Sequence, residues 1–312
     1  MRAKRRRKWL RPGQLVCLQL AIVLAVVAVR QEFPGALVTA AVGLVLLAAT
    51  VVRVKGRWLY ELVPLAAGFL SRKRRQDLAW DSAGIGLIAL LRPGATCQTI
   101  DTDLVITHES GMTAVLYPSG PVSTPTDLLP DTPSLAVQAI WHAQPGRPTQ
   151  VWLGVHASRT VDHLTDDQLR VNLSNGLRRI RKALKHKGMT ARSGATGLTA
   201  LAHLNGSAEI REDWDFWRTG PISQACFRVT TAPHPALITA LLTSAPGVAV
   251  TVGWSAADRQ DVVVRIAAGS GGAVDDAARV LGRVADLVRL DGEHRSGVAA
   301  TLPIGAFPLR GP

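Results

Sequence analysis

Two uninterrupted apolar runs, Leu15 to Val29 and Phe33 to Val52, are separated only by Arg30, Gln31 and Glu32, and this limits what the chain can fold into. The second run has 20 residues without a charge; as a helix rising about 1.5 Å per residue it covers roughly 30 Å, the thickness of a bilayer core. The first is shorter, but a helix starting at Pro12 reaches about 27 Å, with Arg11 and Arg30 able to snorkel to the two interfaces. The pattern predicts an N-terminal transmembrane helical hairpin over residues 15–52.

Orientation follows from the Lys and Arg beside the spans. Arg2, Lys4, Arg5, Arg6, Arg7, Lys8 and Arg11 precede the pair; Arg53, Lys55 and Arg57, then Arg72, Lys73, Arg74 and Arg75, follow it. Both termini are therefore expected in the cytoplasm, with the protein in the plasma membrane. Trp9, Trp58 and Tyr60 fit an aromatic belt at that face, joined at the interface by Arg72, Lys73, Arg74 and Arg75. A cleaved signal peptide is the rival reading. Arg30 to Pro34 lacks a small-x-small cleavage pattern, however, and a second full-length run follows at once.

The formal charge of +13 resembles that of a nucleic-acid binder until it is divided along the chain. Residues 1–80 carry 15 Lys/Arg against Glu32, Glu61 and Asp77, a net of +12; residues 81–312 carry 21 basic and 20 acidic residues, a net of +1. The basicity is thus juxtamembrane, where anionic lipid headgroups are the expected partner and nucleic acid is not. Cys17, Cys97 and Cys226 show no metal or redox spacing and suit a reducing compartment.

Four segments follow: a basic cytosolic N-terminus (1–14), the two-helix hairpin (15–52), a basic amphipathic juxtamembrane segment (53–80) and a cytosolic domain (81–312). In the third, Trp58 to Leu70 is too short to span and is expected to break at Pro64, lying in the interface or against partner helices; a buried connector helix is the alternative. In the fourth, β runs are expected at Gly84–Leu91, Leu104–His108, Met112–Tyr117, Ala136–His142 and Val151–His156. Thr165 caps a helix whose apolar stripe is Leu169, Leu173, Leu177, Ile180 and Leu184, and Gly188 ends it. Its other face holds Arg178, Arg179, Arg181, Lys182, Lys185 and Lys187, either solvated or set against an acidic partner or lipid.

Further β runs are expected at Glu209–Trp217, Gln224–Thr230, Val248–Trp254 and Val262–Ala268. A short helix is expected at Pro235–Leu242 and a last one at Ala273–Leu290, striped by Ala277, Leu281, Val284 and Val288. The whole reads as α+β, a largely antiparallel sheet covered by helices.

Chemistry-bearing patterns are sparse. Asp101-Thr102-Asp103 resembles the Asp-x-Asp that holds a divalent ion in glycosyltransferases, which makes a membrane-surface enzyme of that type the alternative function; a turn is the simpler reading. Gly269-Ser270-Gly271-Gly272 lacks the Lys-Ser/Thr of a P-loop, with Asp275 and Asp276 expected at the helix start. The histidines, His156 and His163 among them, show no paired ligand spacing, and no nucleophile elbow occurs. The sequence calls for no cofactor, no metal and no catalysis. Trp214, Phe216 and Trp217 are either sheet packing or a partner contact, and Gly35, Thr39 and Gly43 place small residues one turn apart on the second span for helix packing.

Trp214-Asp215-Phe216-Trp217-Arg218 leading through Gly220 to Arg228-Val229, and Leu290-Asp291-Gly292-Glu293-His294 continuing to Ala300-Thr301-Leu302-Pro303-Ile304-Gly305, are the local matches to a known family. With the basic N-terminus, the double span and the cytosolic domain, the chain resembles the EccE component of the actinobacterial type VII (ESX) secretion system. The resemblance covers nearly the whole chain, although longer family members continue beyond the Leu-Pro-Ile-Gly stretch. It implies a non-catalytic membrane subunit that assembles with the other membrane subunits of the secretion core, whose motor is a separate FtsK-like ATPase.

Overall fold

The computed structural model describes residues 12–54, 57–79, 82–100, 103–122, 124–128, 134–162, 165–194, 197–204, 209–256 and 260–305. Trp9, Asp101 and His163 lie outside the described residues. Chain contacts divide the protein into two units, Met1–Arg72 and Lys73–Pro312.

In the first unit, α1 (Pro12–Arg30) is long and apolar enough to cross a membrane. Helix α2 (Gly35–Val51) has 17 residues, the reverse of the expected order of lengths, because Phe33 and Pro34 are spent on the turn and Val52 is extended. All three expected packing residues face α1 or the turn after it. A Cβ on Gly43 would stand 3.7 Å from the Ala21 carbonyl oxygen, Gly35 lies over Gln31, and Thr39 Oγ1 donates to Gln31 Oε1 at 2.6 Å.

A two-stranded pair, β1 (Arg53–Val54) and β2 (Arg57–Trp58), leads into α3 (Leu59–Ser71). Helix α3 passes through Pro64, contrary to the expected break; the proline costs it one backbone bond while the turns on either side remain helical. The Arg53 guanidinium lies 3.8 Å from the centre of the Trp58 ring, and Glu61 accepts from both the Trp58 amide and the Tyr60 hydroxyl. Arg72 lies 5.3 Å from the Phe69 ring centre.

The second unit starts earlier than the composition change at residue 80 implies. Its strand β3 (Arg75–Asp77) pairs with β10 (Glu209–Glu212), the Arg74 carbonyl accepts from the Glu212 amide, and Arg75 pairs with Glu209 at 3.1 Å. Arg75 therefore belongs to an edge strand of the sheet, with its side chain largely exposed, which a three-residue strand could not signal in advance.

In chain order follow α4 (Ala83–Leu91), β4 (Thr96–Ile100), β5 (Asp103–His108), β6 (Gly111–Pro118), β7 (Leu135–Ala143), β8 (Gln150–Ser158), α5 (Asp166–His186), β9 (Ala191–Ser193) and α6 (Leu198–Leu201). After β10 come β11 (Trp217–Thr219), β12 (Ile222–Val229), α7 (Pro235–Thr243), β13 (Ala249–Ala256), β14 (Gln260–Ala268), α8 (Gly271–Leu281), β15 (Leu287–Arg289) and α9 (His294–Ala300). One antiparallel sheet runs β3-β10-β11-β12-β14-β13-β7-β8-β6-β5-β4, with β15 beside β12 and β9 beside β6.

Alternation along the strands gives the sheet two unlike faces. Val137, Ala139 and Trp141 of β7, with Val250, Val252 and Trp254 of β13, form an apolar face under α5, α7 and α8. The opposite face, under α4, α6 and α9, mixes Ile140, Trp152 and Val263 with buried Gln138, His142, His156, Thr251 and Arg265.

Two expected elements differ. Gly84–Leu91 is a helix, since a short apolar run reads equally well at either period and only its packing decides. The expected Ala273–Leu290 helix stops at Leu281; residues Leu287–Arg289 pair with Phe227–Val229 instead, which leaves Val288 exposed and outside the buried stripe. Helix α5 matches its signals: the Thr165 hydroxyl accepts from the Gln168 amide, Gln168 returns the bond, and Gly188 takes a φ of +73°.

Candidate functional site

The Trp-Asp-Phe-Trp and Asp-Gly-Glu-His segments meet in space. Residues 213–216 make a tight turn closed by the Asp213 amide on the Phe216 carbonyl at 2.8 Å, and the Asp213 carboxylate accepts from Arg211 and Arg218. The Gly292 amide donates to the Trp214 carbonyl at 2.8 Å. Glycine is required there twice over: φ is +72°, and a Cβ would lie 2.7 Å from the Trp214 ring.

Arg289 ties the joint to α8, donating to the Asp215 carbonyl at 2.6 Å and the Asp275 carboxylate at 2.5 Å and pairing with Asp291 at 3.0 Å. Phe216 lies between two guanidiniums, with Arg289 4.8 Å and Arg218 5.5 Å from its ring centre. Trp214 and Phe216 are half-buried, whereas Trp217 is 2% exposed and packs in the core. The partner-contact reading of Trp217 is therefore corrected to sheet packing; Trp214 and Phe216 keep surface to offer. Beside them a groove of about 560 Å³ is lined by Phe227, Asp275, Arg279, Asp286 and Arg289.

The same joint brings Asp291 and His294, three residues apart in the Asp-Gly-Glu-His segment, together with Cys226 of β12, which the sequence does not connect to them. The Cys226 amide donates to His294 Nδ1 at 3.2 Å, and His294 Nε2 stands 4.0 Å from Asp291. Burial pushes the Cys226 thiol up to about 12, so it stays protonated, and the imidazole nitrogen that could activate it is occupied by a backbone N–H. The trio holds α9 to β12 and has no nucleophile to offer.

The Leu-Pro-Ile-Gly run is a strap across the polar face of the sheet. Gln138 Nε2 donates to the Ala300 carbonyl at 2.7 Å, and Arg92 donates to the Ile304 and Gly305 carbonyls at 3.0 and 2.7 Å. Close approach is allowed by glycines opposite it: a Cβ on Gly253 would lie 2.4 Å from the Ala300 oxygen, and one on Gly154 3.1 Å from the Pro303 oxygen. Under the strap Thr113 and His156 share a 2.9 Å hydrogen bond, and burial lowers the His156 pKa to about 3.

Of the remaining sequence candidates, Asp103 begins β5, is buried, and has both carboxylate oxygens engaged by Arg181 of α5 at 2.7 and 2.6 Å. That contact takes the oxygens a divalent cation would use. Arg181 lines a cavity of about 100 Å³ with Arg170, Ser174 and Arg178. Lys187, the C-cap of the same basic helix, pairs with Asp127 at 3.7 Å. In the glycine loop, Ser270 caps α8 by accepting from the Ala273 amide at 3.2 Å, while Asp275 and Asp276 sit beyond the first turn and pair with Arg289 and Arg279. Among the described residues no three His, Cys, Asp or Glu side chains are grouped to hold a metal. No protein-family model and no curated protein matches the chain.

Proposed function

We propose that the protein is a non-catalytic membrane subunit of a type VII (ESX) secretion complex, in which α1 and α2 form a transmembrane hairpin and the α+β unit faces the cytoplasm. The observation that carries this reading is the surface of the first helix pair. Val29 is 88% exposed, Phe33 82%, Leu44 70% and Val51 69%. Apolar side chains exposed in such number are costly in water and favourable in lipid. An apolar groove of about 780 Å³, lined by Leu18, Ala21, Ala25, Ala40, Gly43 and Leu47, is the seat assigned to a partner membrane helix.

Support for the family comes from how its marker residues are used. Gly292 is the residue that Trp214 packs on, so the Trp-Asp-Phe-Trp and Asp-Gly-Glu-His segments are explained as halves of one joint, while Leu302–Gly305 is a separate strap over the sheet. Half-buried Phe216, held between Arg218 and Arg289, is the anchor for a neighbouring subunit, since aromatic and Arg side chains dominate interface energies. A photo-crosslinking residue at position 216, activated in intact cells, tests this. Adducts to other membrane subunits of the secretion core are expected; the absence of any adduct at that position, with adducts from α5 instead, moves the interface elsewhere.

A further inference from the structure

Helix α5 places Arg170, Ser174, Arg178 and Arg181 at steps of four, four and three residues, which at about 100° per residue gathers them within about 80° of its circumference. The stripe faces the end of the sheet, where β4 is the last strand in the order. These four residues line one cavity of about 100 Å³ together with Ile100 of β4 and Asp103 of β5. Leu173 and Leu177 give it an apolar wall.

Three guanidinium groups border the cavity against one carboxylate, a net of +2. Arg181 Nη2 donates to both Asp103 oxygens at 2.7 and 2.6 Å, which occupies the carboxylate and fixes Arg181 in place. Its Nε and Nη1 have no partner among the described residues, and neither has the exposed Arg178. Arg170 meets Asp167 at 3.9 Å, a solvent-facing contact that contributes little. Arg178 and Arg181, three residues apart on one helix face, repel each other, and an anion set between them turns that repulsion into attraction.

Size and polarity narrow the ligand further. Drug-sized molecules occupy roughly 300 Å³ or more, so this cavity admits a head group and not a nucleotide. The apolar wall favours a head group carried on a carbon stem over a bare inorganic ion.

We propose that the cavity between α5 and the β4–β5 edge binds a phosphate monoester, its head held by Arg178 and the free donors of Arg181, with Arg170 and Ser174 at the rim. Guanidinium forks match phosphate oxygens, and a monoester carries about −1.5 to −2 at pH 7, against the net of +2 here. The ester is a free small molecule or a phosphorylated side chain of a partner; the head group is the same in both. A flat lipid surface would instead engage Arg179 and Lys182, on the outward side of α5.

Isothermal titration of the full chain in detergent at low ionic strength tests this, comparing glycerol 3-phosphate with glycerol and a phosphoserine peptide with its unmodified form. Saturable binding at one site per chain is expected for the phosphorylated probes, and none for their counterparts. Tighter binding of the glycerol ester points to a free ligand, tighter binding of the peptide to a modified partner. Arg178→Gln, which removes no contact within the chain, should weaken binding about tenfold. Arg179→Gln, which does not line the cavity, should change it by less than about twofold. No saturable binding of either phosphorylated probe overturns the proposal, as do equal losses in the two variants, the mark of a diffuse basic face.

Discussion

At Gly253 a methyl group would stand 2.4 Å from the Ala300 carbonyl oxygen, inside any permitted contact, and neither backbone can yield because Ala300 also accepts from Gln138. Gly253→Ala is therefore expected to lower the unfolding free energy by about 2 kcal/mol, whereas alanine at Gly247, where a Cβ meets nothing within 4 Å, should lower it by less than half as much. Denaturant melts of the two variants check the difference; equal losses would mean the strap does not lie where it is described. The buried histidines make a second residue-level prediction. His142, His156 and His203 have folded pKa values of about 4, 3 and 3 against 6.5 when unfolded. The unfolded chain therefore binds more protons, and the stability these groups lend, complete above pH 6.5, is lost as pH falls toward 3. Each contributes roughly 3 to 5 kcal/mol over that window, at about 1.4 kcal/mol per pKa unit. Melting temperatures should fall steeply from pH 6.5 to 4, and less steeply in His156→Asn; a flat wild-type profile would count against neutral burial. None of these partnerships is visible in the sequence, where a lone histidine inside a strand carries no sign of which face it takes.

Among the elements, those with two independent local signals were the legible ones. Helix α5 has a cap, a stripe and a terminating glycine, and the β5–β6 and β13–β14 pairs alternate cleanly on either side of turns. Helix α4 carries an apolar run and nothing else, so its period stayed ambiguous; α8 ends at Leu281 because the edge of β12 captures Leu287–Arg289, a long-range competition that helical spacing does not register. The joint was half legible: its residues stand out as clusters, but that Gly292 seats Trp214 depends on segments more than seventy residues apart meeting. On the first helix pair, Gly43→Leu places a large side chain against the Ala21 carbonyl and Leu24. It is expected to weaken association of membrane subunits several-fold while leaving the second unit's thermal transition unchanged; co-sedimentation of solubilised membranes measures the first and calorimetry the second, and an unaltered assembly would remove the helix pair from the interface.

At the scale of the whole molecule, charge and apolar surface are segregated along the chain. Residues 1–80 hold a net of +12 and the remainder a net of +1, so the large basic excess belongs to the part proposed to meet lipid. In the α+β unit the Cys226 thiol is held protonated, Asp103 is engaged by Arg181 and the strap lies over the polar face, an arrangement in keeping with the proposed assembly role. The decisive measurement is purification from native membranes in a mild detergent, followed by identification of what accompanies the chain. Recovery with other membrane subunits of a secretion core and its FtsK-like ATPase in fixed proportion, sensitive to Gly43→Leu or Phe216→Ala, is expected of such a subunit; a protein that emerges alone under every mild condition is not one.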